Sequence, residues 1–132
     1  MLETLTGLSA TVTQTVTEEM SAKNVGSGTV SVFSTPELVL LLEKAALAVL
    51  HGKLEAGKTT VGSGLEMTHL AATPVGMIVT CTARVKAVDG RKLIFEITAQ
   101  DERESIATGT HVRFIVDAEK FQARADAKLD PA

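Results

Sequence analysis

One long helical pattern stands out in the chain: TPELVLLLEKAALAVLHG, from Thr35 to Gly52. Threonine is a good N-cap, proline suits the first helical position, and Glu37 complements the helix dipole, so we predict that a helix begins at Thr35. Apolar residues recur at helical spacing as far as Val49, and Gly52 is a suitable stop. Because its other faces are apolar as well, we expect this helix to be buried nearly all round at the centre of the domain.

The segments on both sides of this helix have the two-residue period of β-strands. Residues 21–28, rich in Gly, Ser and Asn, predict a mobile loop, and Asp89-Gly90 is a strong two-residue hairpin signal. Strands are predicted at 10–17, 59–73, 77–88, 92–100 and 106–116, and a short helical or irregular tail at 120–127. One helix wrapped by an antiparallel sheet of about five strands is the α+β hotdog arrangement, and we expect residues 1–132 to form one such domain.

Composition narrows the possible functions. Charged residues make up 22% and hydrophobic residues 45%, which is typical of a globular protein. A formal charge of −3, no Trp or Tyr and only four Phe argue against a nucleic-acid partner. Cys81 is the only cysteine, which excludes an intrachain disulfide and is most simply a small buried hydrophobe. With no secretory or membrane-spanning segment visible, we expect a cytoplasmic protein without a membrane partner.

A nucleotide-binding motif lies directly after the predicted helix. Residues Gly52 to Thr59, GKLEAGKT, satisfy the phosphate-loop pattern GxxxxGK[ST]. That loop requires a strand before it and a helix after it, so that backbone N–H groups converge on the phosphates. Here a helix precedes the motif, and a poor helix former follows it. We therefore interpret the segment as a solvated helix-to-strand turn, with nucleotide binding as a rival hypothesis.

Glu43 is the acidic residue in the middle of the predicted helix. Burial raises a carboxyl pKa from about 4.3, and a group brought near neutrality is a useful general base or a poised nucleophile. The alternative is that Glu43 and Lys44 mark a narrow solvent-exposed stripe.

Thr35 and His69 are weaker candidates for catalysis. Helix capping alone would explain Thr35, although the N-terminus of a helix could also stabilise a developing oxyanion. His69 shares strand parity with Leu65 and Met67, so it is predicted to face inward, where a hydrogen-bonded structural role is the common one. His51 suits the end of a helix, and His111 has no evident partner. No metal site is predicted, because the histidines lack spaced carboxylates.

Several stretches of the chain resemble the fluoroacetyl-CoA thioesterase family of hotdog-fold acyl-CoA thioesterases. The resemblance runs from about Val32 to Arg124, and its most specific part is the spacing of Thr35, Glu43, Gly62 and His69. The stretches that carry it are VFSTP, the glutamate eight residues after Thr35, VGSGLEMTHLAATP, TARVKAVDGRKL, IATGTHVR and AEKF. The aromatic lid residues of the fluoroacetyl-specific member are missing, because this chain has Gly26-Ser27-Gly28-Thr29 before VFST.

The resemblance implies hydrolysis of a small acyl-CoA to free acid and CoA, without a cofactor, by a homodimer or a dimer of dimers. It implies Thr35, Glu43 and His69 as the catalytic group, with Glu43 as base or nucleophile and Gly62 near the thioester. Arg113 is a candidate substrate-binding cation for the CoA phosphates, beside Lys58, Arg91 and Lys92. A non-catalytic acyl-CoA-binding module is the alternative.

The spacing of the implied catalytic group also bears on the dimer. Eight residues of helix separate Thr35 and Glu43 by roughly 12 Å along one axis, so the two side chains cannot meet within one helix. If both serve one thioester, each site combines Thr35 of one subunit with Glu43 of the other.

Overall fold

A computed structural model describes residues 2–131 of the chain. It contains five strands: β1 (Ser9–Thr15), β2 (Lys58–His69), β3 (Ile78–Asp89), β4 (Lys92–Gln100) and β5 (Ser105–Asp117). The α-helices are α1 (Ala22–Val25), α2 (Thr35–Leu50) and α3 (Ala118–Asp126), and single 3₁₀ turns cover Leu2–Leu5, Glu18–Met20 and Ala127–Leu129. The predicted order of strand, long helix and four further strands is confirmed, and every predicted strand overlaps an observed one.

The five strands form one antiparallel sheet in the order β1-β3-β4-β5-β2. Strands β3, β4 and β5 follow one another as a meander, but β2 pairs with β5 rather than with β3. The expectation of four strands in antiparallel succession is therefore wrong for β2. Its placement leaves β2 at one edge of the sheet, with β1 at the other. The pairing of β2 with β5 shifts by one residue between Gly62 and Gly64, where β2 carries the extra residue Ser63.

Helix α2 lies on the inner face of the sheet and packs mainly on β1 and β3. Its buried side recurs at spacings of three and four, as an amphipathic helix requires. These buried residues are Leu38, Leu41, Leu42, Ala45, Ala46, Val49 and Leu50. They meet inward residues of the sheet such as Val79, Val85, Phe95 and Ile97 in one apolar core.

The opposite side of α2 is exposed, which corrects the expectation that the helix is buried nearly all round. Leu40 is 43% exposed and Leu47 45% exposed, and Lys44 lies on the same side. The sheet can cover only one side of a helix, and nothing else among residues 2–131 covers the other. We call the exposed apolar strip of Leu40 and Leu47 the α2 stripe.

Two local predictions are corrected by backbone geometry. The segment 21–28 is not simply a loop, because Ser21 caps the short helix α1 by accepting from the Asn24 N–H, and Gly26 ends it at φ +90°. In the β3–β4 hairpin Asp89 pairs with Lys92, so the two loop residues are Gly90 and Arg91 rather than Asp89 and Gly90. Gly90 has φ +61°, which explains why glycine stands there.

The phosphate-loop pattern occupies a turn between α2 and β2. Its residues follow a helix and run into a strand, the reverse of the order that phosphate binding needs. Cys81 is fully buried, and burial raises the pKa of its thiol to about 12, as suits an unreactive core residue. Within residues 2–131, every helix is too short or too polar to cross a membrane.

Candidate active site

The first turn of α2 holds Thr35 against the end of β2. Ser34, not Thr35, is the N-cap: its Oγ accepts from the Glu37 N–H at 3.3 Å, so the predicted capping role of Thr35 is wrong. Both residue types cap helices, and Ser34 is the one that the fold buries. The Thr35 hydroxyl does not cap the helix and lies 2.8 Å from Nδ1 of His69. We call these two residues the Thr35–His69 pair.

His69 is half-buried on the same side of β2 as Leu65 and Met67, as its parity predicted. Its Nε2 is buried and has no hydrogen-bond partner within residues 2–131. Burial lowers the pKa of His69, an effect that the backbone at Ala71 partly offsets. A neutral ring with one nitrogen on the Thr35 hydroxyl and the other without a partner can relay a proton.

Glu43 lies eight residues after Thr35, in the third turn of α2. Its side chain is 38% exposed, so it is not the deeply buried carboxylate that the sequence suggested, and the alternative of a solvent-exposed stripe with Lys44 fits better. Glu43 Oε2 lies 3.6 Å from Nη1 of Arg113, which makes an ion pair across the inner face of the sheet.

Arg113 is buried beneath Glu43 and is held by β2. Its Nε donates to Thr60 Oγ1 at 2.9 Å, and its Nη2 donates to the Thr60 carbonyl at 3.1 Å. With only 6% of the residue exposed, Arg113 does not present its charge to solvent. Its interpretation as a cation for the CoA phosphates is therefore corrected: the guanidinium is already committed inside the protein. Lys58 and Arg91 remain exposed.

His111 also belongs to this site, although it was not predicted from the sequence. It is 1% exposed, and its Nδ1 lies 2.8 Å from the Gly64 carbonyl, while its Nε2 lies 3.1 Å from Arg113 Nη1. Arginine can only donate, so Nε2 accepts and Nδ1–H donates to Gly64. The pKa of His111 is lowered, first by burial and further by Arg113. The signal was available: His111, Arg113 and Ile115 alternate on the inward side of β5.

Gly62 lies directly against this group. A Cβ at Gly62 would stand 3.1 Å from Glu43 Oε2 and 3.2 Å from Arg113 Nη1. The shift in register between Gly62 and Gly64 is a β-bulge, which is a common way to re-aim backbone groups beside a site. We call Glu43, Arg113, His111, Thr60 and Gly62 the Glu43 cluster.

The Thr35–His69 pair and the Glu43 cluster are separate within one chain. Eight residues of α2 divide Thr35 from Glu43, roughly 12 Å along the helix axis, and no hydrogen bond or ion pair between the two groups is found in residues 2–131. Across the same residues, no three His, Cys, Asp or Glu side chains are grouped as metal ligands.

Comparisons with known proteins agree with this fold. A family model described as fluoroacetyl-CoA-specific thioesterase matches residues 16–119. The fluoroacetyl-CoA thioesterase of Streptantibioticus cattleyicolor is 39% identical over 97 residues, 74% of this chain and 70% of that enzyme. A solved structure of a fluoroacetyl-CoA thioesterase has a TM-score of 0.89 at 31% identity, covering 95% of this chain and 97% of that one. A thioesterase-superfamily protein of Thermus thermophilus has a TM-score of 0.85 at 28% identity, covering 92% and 90%.

The fold and the site together define a hotdog-fold thioester hydrolase that acts on acyl-CoA, as the sequence predicted. The chain belongs to the fluoroacetyl-CoA-specific thioesterase family.

Proposed function

We propose that this enzyme is a cytoplasmic homodimer that hydrolyses short acyl-CoA thioesters, without a cofactor, at two sites shared between its subunits. One observation carries the proposal. The Thr35–His69 pair and the Glu43 cluster are two chemically incomplete halves that one rigid helix holds roughly 12 Å apart. A two-fold axis would bring the first half of one subunit against the second half of its partner.

The surface of the single chain supports a dimer. Strand β2 pairs with β5 along one side only, so its other side offers a long row of unpaired N–H and C=O groups within the described sheet. The α2 stripe leaves large apolar side chains in water, and Glu43 stands between Leu40 and Leu47 on that side of the helix. Pairing two β2 strands and covering the α2 stripe would bury both, and would desolvate Glu43.

In this arrangement the residues have complementary roles. Glu43 attacks the thioester carbonyl or activates the water that does, and Gly62 leaves room for the reacting group beside its carboxylate. The Thr35 hydroxyl and the N-terminus of α2 face the developing oxyanion. His69, neutral and bonded to Thr35, positions the hydroxyl or relays to the leaving thiolate a proton that it first accepts from the attacking water.

The cavity beside the Thr35–His69 pair suits a short acyl group without a fluorine-selective gate. It measures about 370 Å³, and the residues that line it include Ala22, Ser27, Ala71 and Ala72. Phe33 and Leu70 belong to the apolar part of the lining. Another relative, a threonine-to-serine variant of a fluoroacetyl-CoA thioesterase, was solved in complex with acetyl-CoA, which supports acetyl-CoA as the first substrate to test.

Mixed dimers test the shared site. Thr35→Ala and Glu43→Ala proteins, each inactive alone, are denatured and reassociated together, and free thiol release is measured with acetyl-CoA and with branched and aromatic acyl-CoAs. A mixed dimer carries both substitutions in one site and neither in the other. With random pairing, about half of the dimers are mixed, so activity should recover to roughly a quarter of the wild type.

Mass spectrometry of the intact complexes shows whether mixed dimers form. A mixture of each variant with itself, treated in the same way, is the control and should stay inactive. If mixed dimers form and the mixture remains as inactive as its parents, the shared site is wrong. If no thioester on the panel releases thiol with the wild type while binding is measurable, hydrolysis is wrong.

A further inference from the structure

We infer that Arg113 and His111 are positioning residues that hold the Glu43 carboxylate in its reactive orientation, an inference that rests on the proposed function of Glu43. Neither residue bonds to the Thr35–His69 pair of its own chain within residues 2–131, and both are almost fully buried. They act on the reaction through the 3.6 Å contact between Arg113 Nη1 and Glu43 Oε2.

The guanidinium of Arg113 is fixed in the plane that this contact needs. Two of its nitrogens are taken by one residue, Thr60, through the hydroxyl and the backbone carbonyl. A planar group held at two points cannot rotate, so the remaining nitrogen, Nη1, points to one place. That place lies between Glu43 Oε2 and His111 Nε2. A lysine there would keep the charge and lose the fixed direction.

His111 completes the arrangement from the other side. The Gly64 carbonyl, just past the bulge in β2, receives Nδ1–H and so leaves Nε2 as an acceptor for Arg113 Nη1. The ring also packs beside Phe95, with ring centroids 6.2 Å apart. One chain of contacts therefore runs from the Gly64 carbonyl through His111 and Arg113 to Glu43.

An alternative role for these residues is purely structural, because buried polar networks also stabilise folds. The two roles differ in what they predict for Glu43. A positioning role requires that Arg113 matter only while Glu43 is there to be positioned. A structural role lowers activity whether or not the carboxylate is present.

A double-mutant cycle separates the two roles. Arg113→Lys should lower kcat by about 30-fold with KM within about twofold of the wild type, since the carboxylate is misplaced and the acyl cavity is untouched. In a Glu43→Gln background the same substitution should lower the residual kcat by roughly threefold or less. Arg84→Lys, an exposed arginine on β3, is the matched control and should leave kcat unchanged.

Three further variants, at two positions, keep the test decisive if Arg113→Lys does not fold. Thr60→Val removes one acceptor of Arg113, and His111→Gln keeps a donor and an acceptor in place of the ring. Thr60→Val should lower kcat about fivefold only when Glu43 is present, and His111→Gln should retain more activity than His111→Phe. Equal losses with and without Glu43 would overturn the positioning role alone, whereas a fully active Glu43→Gln would overturn the proposed function.

Discussion

The two halves of the site are built in opposite ways. The Thr35–His69 pair is a single hydrogen bond between an exposed threonine and a half-buried histidine whose second nitrogen has no partner in residues 2–131. The Glu43 cluster holds one carboxylate through a buried arginine, a buried histidine and a bulged strand.

The difference shows where preorganisation is needed. A group that attacks the thioester, or that activates the attacking water, must be fixed in direction before the substrate arrives. The reason is that a misplacement of one ångström strongly lowers the reaction rate. A hydroxyl and a neutral imidazole that handle a proton can adjust when the thioester binds. We therefore expect the chemistry to be most sensitive to changes in the Glu43 cluster and less so to the surroundings of the pair.

The largest effect is expected from Glu43→Gln. The amide is isosteric but is neither a base nor a nucleophile, so kcat should fall by at least ~10²-fold while the protein stays folded. Thiol release and thermal unfolding measure the two quantities. Glu96→Gln, an exposed glutamate on β4, should keep wild-type activity. A stable Glu43→Gln with full activity would end this mechanism.

A smaller effect is expected from Gly62→Ala. The new methyl group would stand 3.1 Å from Glu43 Oε2, so the carboxylate must move by a few tenths of an ångström. We expect kcat to fall about tenfold, since a fixed group is displaced and not removed. Gly64→Ala in the same bulge is the matched control, because its Cβ meets nothing within 4 Å. Equal losses of kcat in the two variants would contradict this prediction, since they would show a general disturbance of strand β2 and not a displacement of Glu43.

The smallest effect concerns pH. Burial lowers the pKa of both His69 and His111, so each ring stays neutral as the pH falls through 6.5, the ordinary value for histidine, and is protonated only below it. Activity that needs neutral rings should be level above pH 6.5 and be lost below it. A profile of kcat/KM against pH gives the midpoint. His51→Gln, exposed at the end of α2, should not move that midpoint, and an acid limb centred above 6.5 would contradict the neutral pair.

Much of the fold could be predicted because it follows from local sequence patterns. The limits of α2 and of β4 follow from capping residues, periodicity and turn chemistry within a few positions. The pairing of β2 with β5 could not be predicted, because antiparallel partners far apart in sequence leave no local signal. The choice of Ser34 over Thr35 as N-cap likewise depended on which of two suitable residues the tertiary structure buried.

The site was only partly predictable. The sequence indicated Thr35, Glu43, Gly62 and His69 as candidates, and the structure places Gly62 against Glu43 and Thr35 against His69. Arg113 was taken for a surface cation because arginine usually is one. Its bonds to Thr60, on the neighbouring strand β2, could not be predicted without the pairing of β2 with β5. The sequence left two interpretations of Glu43 open, burial or a solvent-exposed stripe with Lys44. It could not decide between them because apolar residues that are exposed in one chain give the same pattern as a buried core.

The length of α2 has a mechanical consequence under the proposed arrangement. Its sixteen residues form one rod whose first turn serves one reaction centre and whose third turn serves the other. An axial slide of this rod would displace a hydroxyl at one centre and a carboxylate at the other by the same distance. The two reaction centres would then change their geometry together. Substrate binding at the first would alter the affinity for substrate at the second through the backbone of a single helix.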